Sequence, residues 1–107
     1  MPAPTPVALM RSRYCAYVLH RAEYLLATWH ASTRPPTLAL DDTAPRWLGL
    51  AIRDSTATDD DHASVEFVAR YRIGGRANRL HEHSRFVREA GRWYYIDGVI
   101  DPPTGGG

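Results

Sequence analysis

Residues 80–98 read LHEHSRFVREAGRWYYIDG, and the turn inside this stretch decides how the rest of the chain must be arranged. Ala90-Gly91 separates two runs of strand-forming residues, with glycine supplying the positive φ that a two-residue hairpin turn demands. Taking 90 and 91 as the turn predicts the pairing: Glu89 faces Arg92, Val87 faces Tyr94, Phe86 faces Tyr95 and Ser84 faces Asp97. Strand side chains alternate, so one side carries Leu80, Glu82, Ser84 and Phe86 from the first strand. Trp93, Tyr95 and Asp97 join it from the second. Large aromatics mixed with carboxylates and a hydroxyl suit the wall of a pocket better than a plain core.

Immediately upstream, Ala63 to Ile73 alternates Val65, Phe67, Ala69, Tyr71 and Ile73 against Glu66, Val68, Arg70 and Arg72. A two-residue turn at Gly74-Gly75 sets Val65 against Ser84, Phe67 against Glu82 and Ala69 against Leu80. Both hairpins then show their apolar residues on one face, an agreement that supports the register. Arg46 to Thr56 reads as a further strand, but Trp47, Gly49 and Ala51 alternate with Leu48, Leu50 and Ile52, so its faces stay unassigned. Thr58 to His62 is an acidic loop between strands.

The first third of the chain is helical in pattern. Thr5-Pro6 supplies an N-cap and a proline at the first helical position. Val7, Met10, Tyr14, Tyr17 and Val18 form one apolar stripe, flanked by Arg11, Arg13 and Arg21. A second segment, about Arg21 to Ala31, repeats the device with Ala22, Leu25, Leu26 and Trp29. The join at His20-Arg21 lacks a strong breaker, which leaves one bent helix open. Ser32 to Pro36 ends the helical region, since consecutive prolines cannot continue it. Leu38 to Pro45 is a connector in which Asp41-Asp42 would cap a single turn. The expected layout is an α+β two-layer domain over residues 5–98, helices covering the apolar face of a four-stranded antiparallel meander, with flexible termini at 1–4 and 99–107.

The bulk properties exclude several classes of function. A chain of 107 residues forms one domain with a modest core. Its formal net charge of +1 creates no general field for nucleic acid or an anionic membrane. All thirteen basic residues are arginine, which a GC-rich coding bias explains more simply than selection for anion contacts. The single cysteine, Cys15, rules out an internal disulfide and a multi-cysteine zinc site. There is no apolar run of membrane-spanning length and no secretory signal, so a cytoplasmic location is expected.

Three motifs make the chain recognisable: MRSRYxAY at Met10 to Tyr17, TWHxSTRP at Thr28 to Pro35, and HExSRFVRExGRWYYxDG at His81 to Gly98. Over about Pro4 to Gly98 the sequence closely resembles the central domain of the YchJ family of uncharacterised bacterial proteins. The resemblance implies a nuclear transport factor 2-like fold, a cystatin-like cone in which N-terminal helices enter the concave side of a curved sheet. Family members usually carry a cysteine-rich zinc-binding segment of the SEC-C type before this domain. Here the chain opens directly at the helix, as a stand-alone or a trimmed version would.

The leading functional expectation is a non-catalytic module that binds a protein partner or a small ligand. Its pocket candidates are Arg13, Tyr14, Tyr17 and Trp29 from the helical part, with Phe67, Glu82, Ser84, Phe86, Trp93, Tyr95 and Asp97 from the sheet. Glu82 is expected to ion-pair with Arg13, and His30 to favour the dipole at the end of the second helix. The first alternative is a ketosteroid isomerase- or dehydratase-like enzyme with Glu82 or Asp97 as base, an idea supplied by fold analogy. The second is RNA binding through Arg70, Arg72, Arg79 and Arg85 on the outer face, which would serve equally as a protein or homodimer contact. His81 and His83 lie two apart on a strand, a spacing that could seat a metal only if His62 or Glu66 supplied a third ligand. No metal or cofactor is expected.

Overall fold

The computed structural model describes residues 3–38 and 46–100. Helix α1 spans Pro6–Val18, and the Thr5 side chain caps it by accepting the Ala8 N–H at 3.1 Å. Helix α2 is short, Ala22–Ala27. The helices are separate because α1 ends at a break without glycine. His20 takes a left-handed φ of 58°, its N–H reaches Tyr17 O, and the Arg21 N–H reaches back to Ala16 O at 2.8 Å. That pair of bonds is the Schellman closure, with histidine where glycine is usual.

Strands β1 (Arg46–Asp59), β2 (His62–Ile73), β3 (Arg76–Glu89) and β4 (Arg92–Ile100) form one antiparallel meander in the order β1-β2-β3-β4. The β2–β3 hairpin follows the expected register throughout, with Val65 opposite Ser84, Phe67 opposite Glu82 and Ala69 opposite Leu80. Both of its turn glycines have positive φ, as do Ala90 and Gly91 at the next turn. β4 continues two residues past the expected boundary, Val99 pairing with His83 and Ile100 with Glu82. At the other end Ala3 packs on the core. Residues 1–2, 39–45 and 101–107, including the expected Asp41-Asp42 cap, lie outside the described residues.

β1 slips register at Trp47/Gly49, Ile52/Asp54 and Ala57/Asp59. The first slip answers the ambiguity of its sequence: with Leu48 bulged out, Trp47 joins Leu50 and Ile52 on the core side, while Leu48 stays exposed. Bulges bend a strand, and the bend lets the sheet wrap α1. The helix packs against β1, β2 and β4, although three strand spacings of ~4.8 Å would separate β1 from β4 by ~14 Å in a flat sheet. A cone results. Leu9 and Met10 of α1 meet Val65, Phe67, Ala69 and Phe86 inside it. Val18, expected in the helical stripe, is exposed, and Leu9, Arg13 and Ala16 take the buried side instead. Among the described residues no helix is long and apolar enough to cross a membrane.

Candidate functional site

The cone leaves a cavity of about 240 Å³ between α1 and the concave face. Met10, Tyr14 and Tyr17 line it from the helix, and Trp47, Leu50, Phe67, Ala69 and Leu80 from the sheet. Helical spacing aims positions 10, 13, 14 and 17 at one side, and strand alternation aims 67, 69, 80, 82 and 84 back at them. The polar groups are Arg13, Glu82, Ser84 and the hydroxyls of Tyr14, Tyr17 and Tyr95. Trp47 anchors the rim, its ring 5.9 Å from Tyr14, 6.1 Å from Tyr17 and 5.6 Å from Tyr71.

Arg13 is 3% exposed, so it belongs to the core rather than to the flank of α1. Its Nη1 donates to Leu25 O and to Thr28 Oγ1, both at 2.7 Å, tying α1 to α2. The guanidinium lies 4.5 Å from the Tyr95 ring centre and 5.2 Å from that of Trp29. Among the described residues no carboxylate comes within 4 Å of it, and the expected ion pair with Glu82 does not form. Burial lowers the Arg13 pKa. Glu82 instead accepts the Ser84 hydroxyl at 2.6 Å and lies flat over Gly98, where an added Cβ would strike its carboxyl group. The strand position of Gly98 was the signal for that close approach. Burial, and secondarily the Glu82 charge, push the Tyr95 phenol up to about 12.

Of the sequence candidates, Arg13, Tyr14, Tyr17, Phe67, Glu82, Ser84 and Tyr95 therefore meet at one cavity. Phe86, 1% exposed, lies behind its wall. Trp29 stacks edge-on against Tyr95 at 5.1 Å, and Trp93 sits at the other end of the core beneath Arg88. Asp97 is on the opposite face. Between Tyr95, which faces Phe86, and Asp97, which faces Arg85, β4 holds the extra residue Ile96, so Gly98 rather than Asp97 stands opposite Ser84. Arg85 grips Asp97 through Nε at 2.7 Å and Nη2 at 2.6 Å, which holds the carboxyl below its usual range. The bulge lies where residues 28–33 bind the free edge of β4. Tyr95 N–H donates to Thr28 O, His30 N–H donates to Tyr95 O, and the Thr33 hydroxyl donates to Ile96 O. His30 is thus an extended residue pairing with β4 beyond α2, not a helix terminus, and its Nε2 lies 2.8 Å from Glu89 Oε2.

A family model described as "YchJ, middle NTF2-like domain" matches residues 5–98. The chain belongs to this family. UPF0225 proteins resemble it closely: that of Methylibium petroleiphilum is 59% identical, covering 99% of this chain and 78% of its own, and one from Polaromonas naphthalenivorans is 65% identical over 92% and 71%. Among solved structures, a SEC-C motif containing protein from Rhodopseudomonas palustris superposes with a TM-score of 0.82 at 33% identity, covering 95% of this chain and 83% of its own. A SEC-C motif containing protein from Psychrobacter arcticus gives 0.78 at 28% identity, over 97% and 65%.

The outer face of this YchJ middle domain divides into two parts. Toward the Gly74-Gly75 turn, Arg70, Arg72 and Arg79 line a shallow depression with Leu48, Ala77 and Asn78. Arg70 stands directly opposite Arg79, and Arg72 opposite Arg46, so like charges face each other. Arg85 is separate from this group, being engaged with Asp97. Toward the middle of the sheet, Glu66 lies beside His81 and His83, the third side chain the sequence left open. His62 is elsewhere, its Nδ1 2.9 Å from Asp59 Oδ1 at the β1–β2 turn.

Proposed function

We propose that this YchJ middle domain is a non-catalytic binding module whose cone takes a small, mostly apolar, anionic molecule such as an aromatic carboxylate. The observation that carries the reading is Arg13: a guanidinium on the wall of an apolar cavity, held by one carbonyl, one hydroxyl and two aromatic faces, without a carboxylate partner among the described residues. A buried charge short of a counter-ion is costly, and an anionic ligand offsets that cost. Glu82, on the same cavity, repels an anion placed against it. That biases the ligand's charged end toward Arg13 and its hydrogen-bond donors toward Glu82. With Asp97 on the other face, Glu82 is the carboxylate left to act as base in an isomerase-like mechanism, and its engagement by the Ser84 hydroxyl favours binding over catalysis.

The test is titration with 1-naphthoate and, as a neutral control, 1-naphthalenemethanol, following backbone amide shifts by NMR. Saturable shifts confined to residues such as Met10, Ala69 and Leu80 are expected, with naphthoate the tighter probe. Arg13→Met is expected to remove most of that preference, and Ala69→Phe, which fills the cavity, to abolish both titrations. Absence of cone shifts at millimolar probe, or equal binding of the two probes, would defeat the proposal.

A further inference from the structure

We propose that Glu66, His81 and His83 on the convex face form a binding site for one divalent transition-metal ion, independent of the cone. The site is built by register. Glu66 stands directly opposite His83 across the β2–β3 ladder, and His81 is two residues away on β3, projecting to the same side. His81 Nε2 lies 2.6 Å from Glu66 Oε2, and His83 Nε2 lies 3.9 Å from that same oxygen. One ligand atom from each of the three falls within 4.8 Å of the others.

Metal–ligand bonds of about 2.0–2.2 Å place neighbouring ligand atoms some 3–3.5 Å apart in tetrahedral or octahedral coordination. The 3.9 Å between His83 Nε2 and Glu66 Oε2 is already close to that spacing. Two imidazoles and one carboxylate suit zinc, nickel, copper or ferrous iron better than calcium or magnesium, which favour all-oxygen sets. Exposures of 29% for the Glu66 side chain, 38% for His81 and 46% for His83 leave all three reachable by an ion from solvent. The local charge is permissive. Arg85, two residues beyond His83 on the same side, is neutralised by Asp97, and Asp54 occupies the β1 position opposite Glu66.

The experiment is calorimetric titration of the full chain, free of any histidine tag, with zinc chloride, alongside Co²⁺ loading followed by visible absorption. The expected result is one equivalent of bound Zn²⁺ and a Co²⁺ spectrum with nitrogen–oxygen ligation. His81→Gln, His83→Gln and Glu66→Gln should each weaken binding by more than the roughly 10–100-fold loss that follows removal of a mere supporting group. His62→Gln, at the Asp59 pair, should leave the affinity unchanged. As a readout that needs no variant, Zn²⁺ should shift the ring resonances of His81 and His83 and spare those of His20 and His62. Zinc binding that survives loss of His81 or His83, that is lost equally in His62→Gln, or that leaves the His81 and His83 rings unshifted would overturn the assignment.

Discussion

On the concave side of the sheet the guanidinium of Arg13, carried by α1, is 3% exposed and works through hydrogen bonds to a carbonyl and a hydroxyl and through aromatic faces. On the convex face another guanidinium, Arg85, forks onto Asp97 in water. Side-chain chemistry is the same in the two places, but the consequences are opposite. Inside, charge is expensive and few neighbours can answer it, so Arg13 and Glu82 are each tied to definite partners. Outside, water already solvates the ions, and pairing adds little. The cone is therefore where a single side chain can dominate both stability and recognition, whereas the convex face works through groups.

The largest expected effect follows directly. Arg13→Ala should cost about 2–4 kcal/mol of unfolding free energy, because Leu25 O and Thr28 Oγ1 lose their donor and the stem's packing is removed. Arg13→Met, which keeps the stem, should lose less. Arg85→Ala should be hard to tell from the parent in chemical denaturation. If the two alanine variants fell equally far, the contrast between the faces would fail.

The contrast is sharpened by pH. Tyr95, pushed up to about 12 from its ordinary 10, is kept neutral by burial first and by Glu82 second. A folded pKa above the unfolded one contributes stability that is fully present below about pH 10 and is lost as pH rises toward 12. Melting temperature should fall over that window, and Tyr95→Phe should remove this part of the slope. Asp97 carries the opposite sign: its carboxyl is lowered by the Arg85 hydrogen bonds, so its smaller contribution is present at neutral pH and lost as the solution turns acid through the carboxylate range.

How much of this was legible depends on where the chain leaves ideal geometry. The β2–β3 hairpin alternates without interruption and turns on two glycines, so pairing by parity placed Phe67, Glu82 and Ser84 together. β1 contains three extra residues, Leu48, Arg53 and Thr58, and β4 one, Ile96, and period-two reading has no means to see them. Asp97 was consequently assigned to the wrong face and Trp47 to none. Arg13 was given the wrong partner for a different reason: an arginine on the flank of a helix facing a sheet carboxylate reads as an ion pair with Glu82. Its partners, Leu25 O and Thr28 Oγ1, lie 12 and 15 residues away and are brought near only by the His20 break. Glu66 could be named only as a recruit for the histidines, because its closeness to His81 depends on a cross-strand diagonal.

The smallest effect concerns the turn that sets both faces. Ala90 has a φ of 53°, a region that penalises a Cβ and that asparagine tolerates better. Ala90 is exposed at the hairpin tip, so replacing it alters no wall of the cone and no ligand on the convex face. Ala90→Asn should therefore raise stability by about 0.5–1 kcal/mol, seen as roughly 2–8 °C in melting temperature. Naphthoate and zinc titrations should stay as they were. Were the melting temperature to rise while either titration changed, the register of β3 against β4 would depend on the turn itself. The Ile96 bulge, and with it the assignment of Asp97 to the outer face, would then follow from Ala90 rather than from the 28–33 segment bound along the edge of β4.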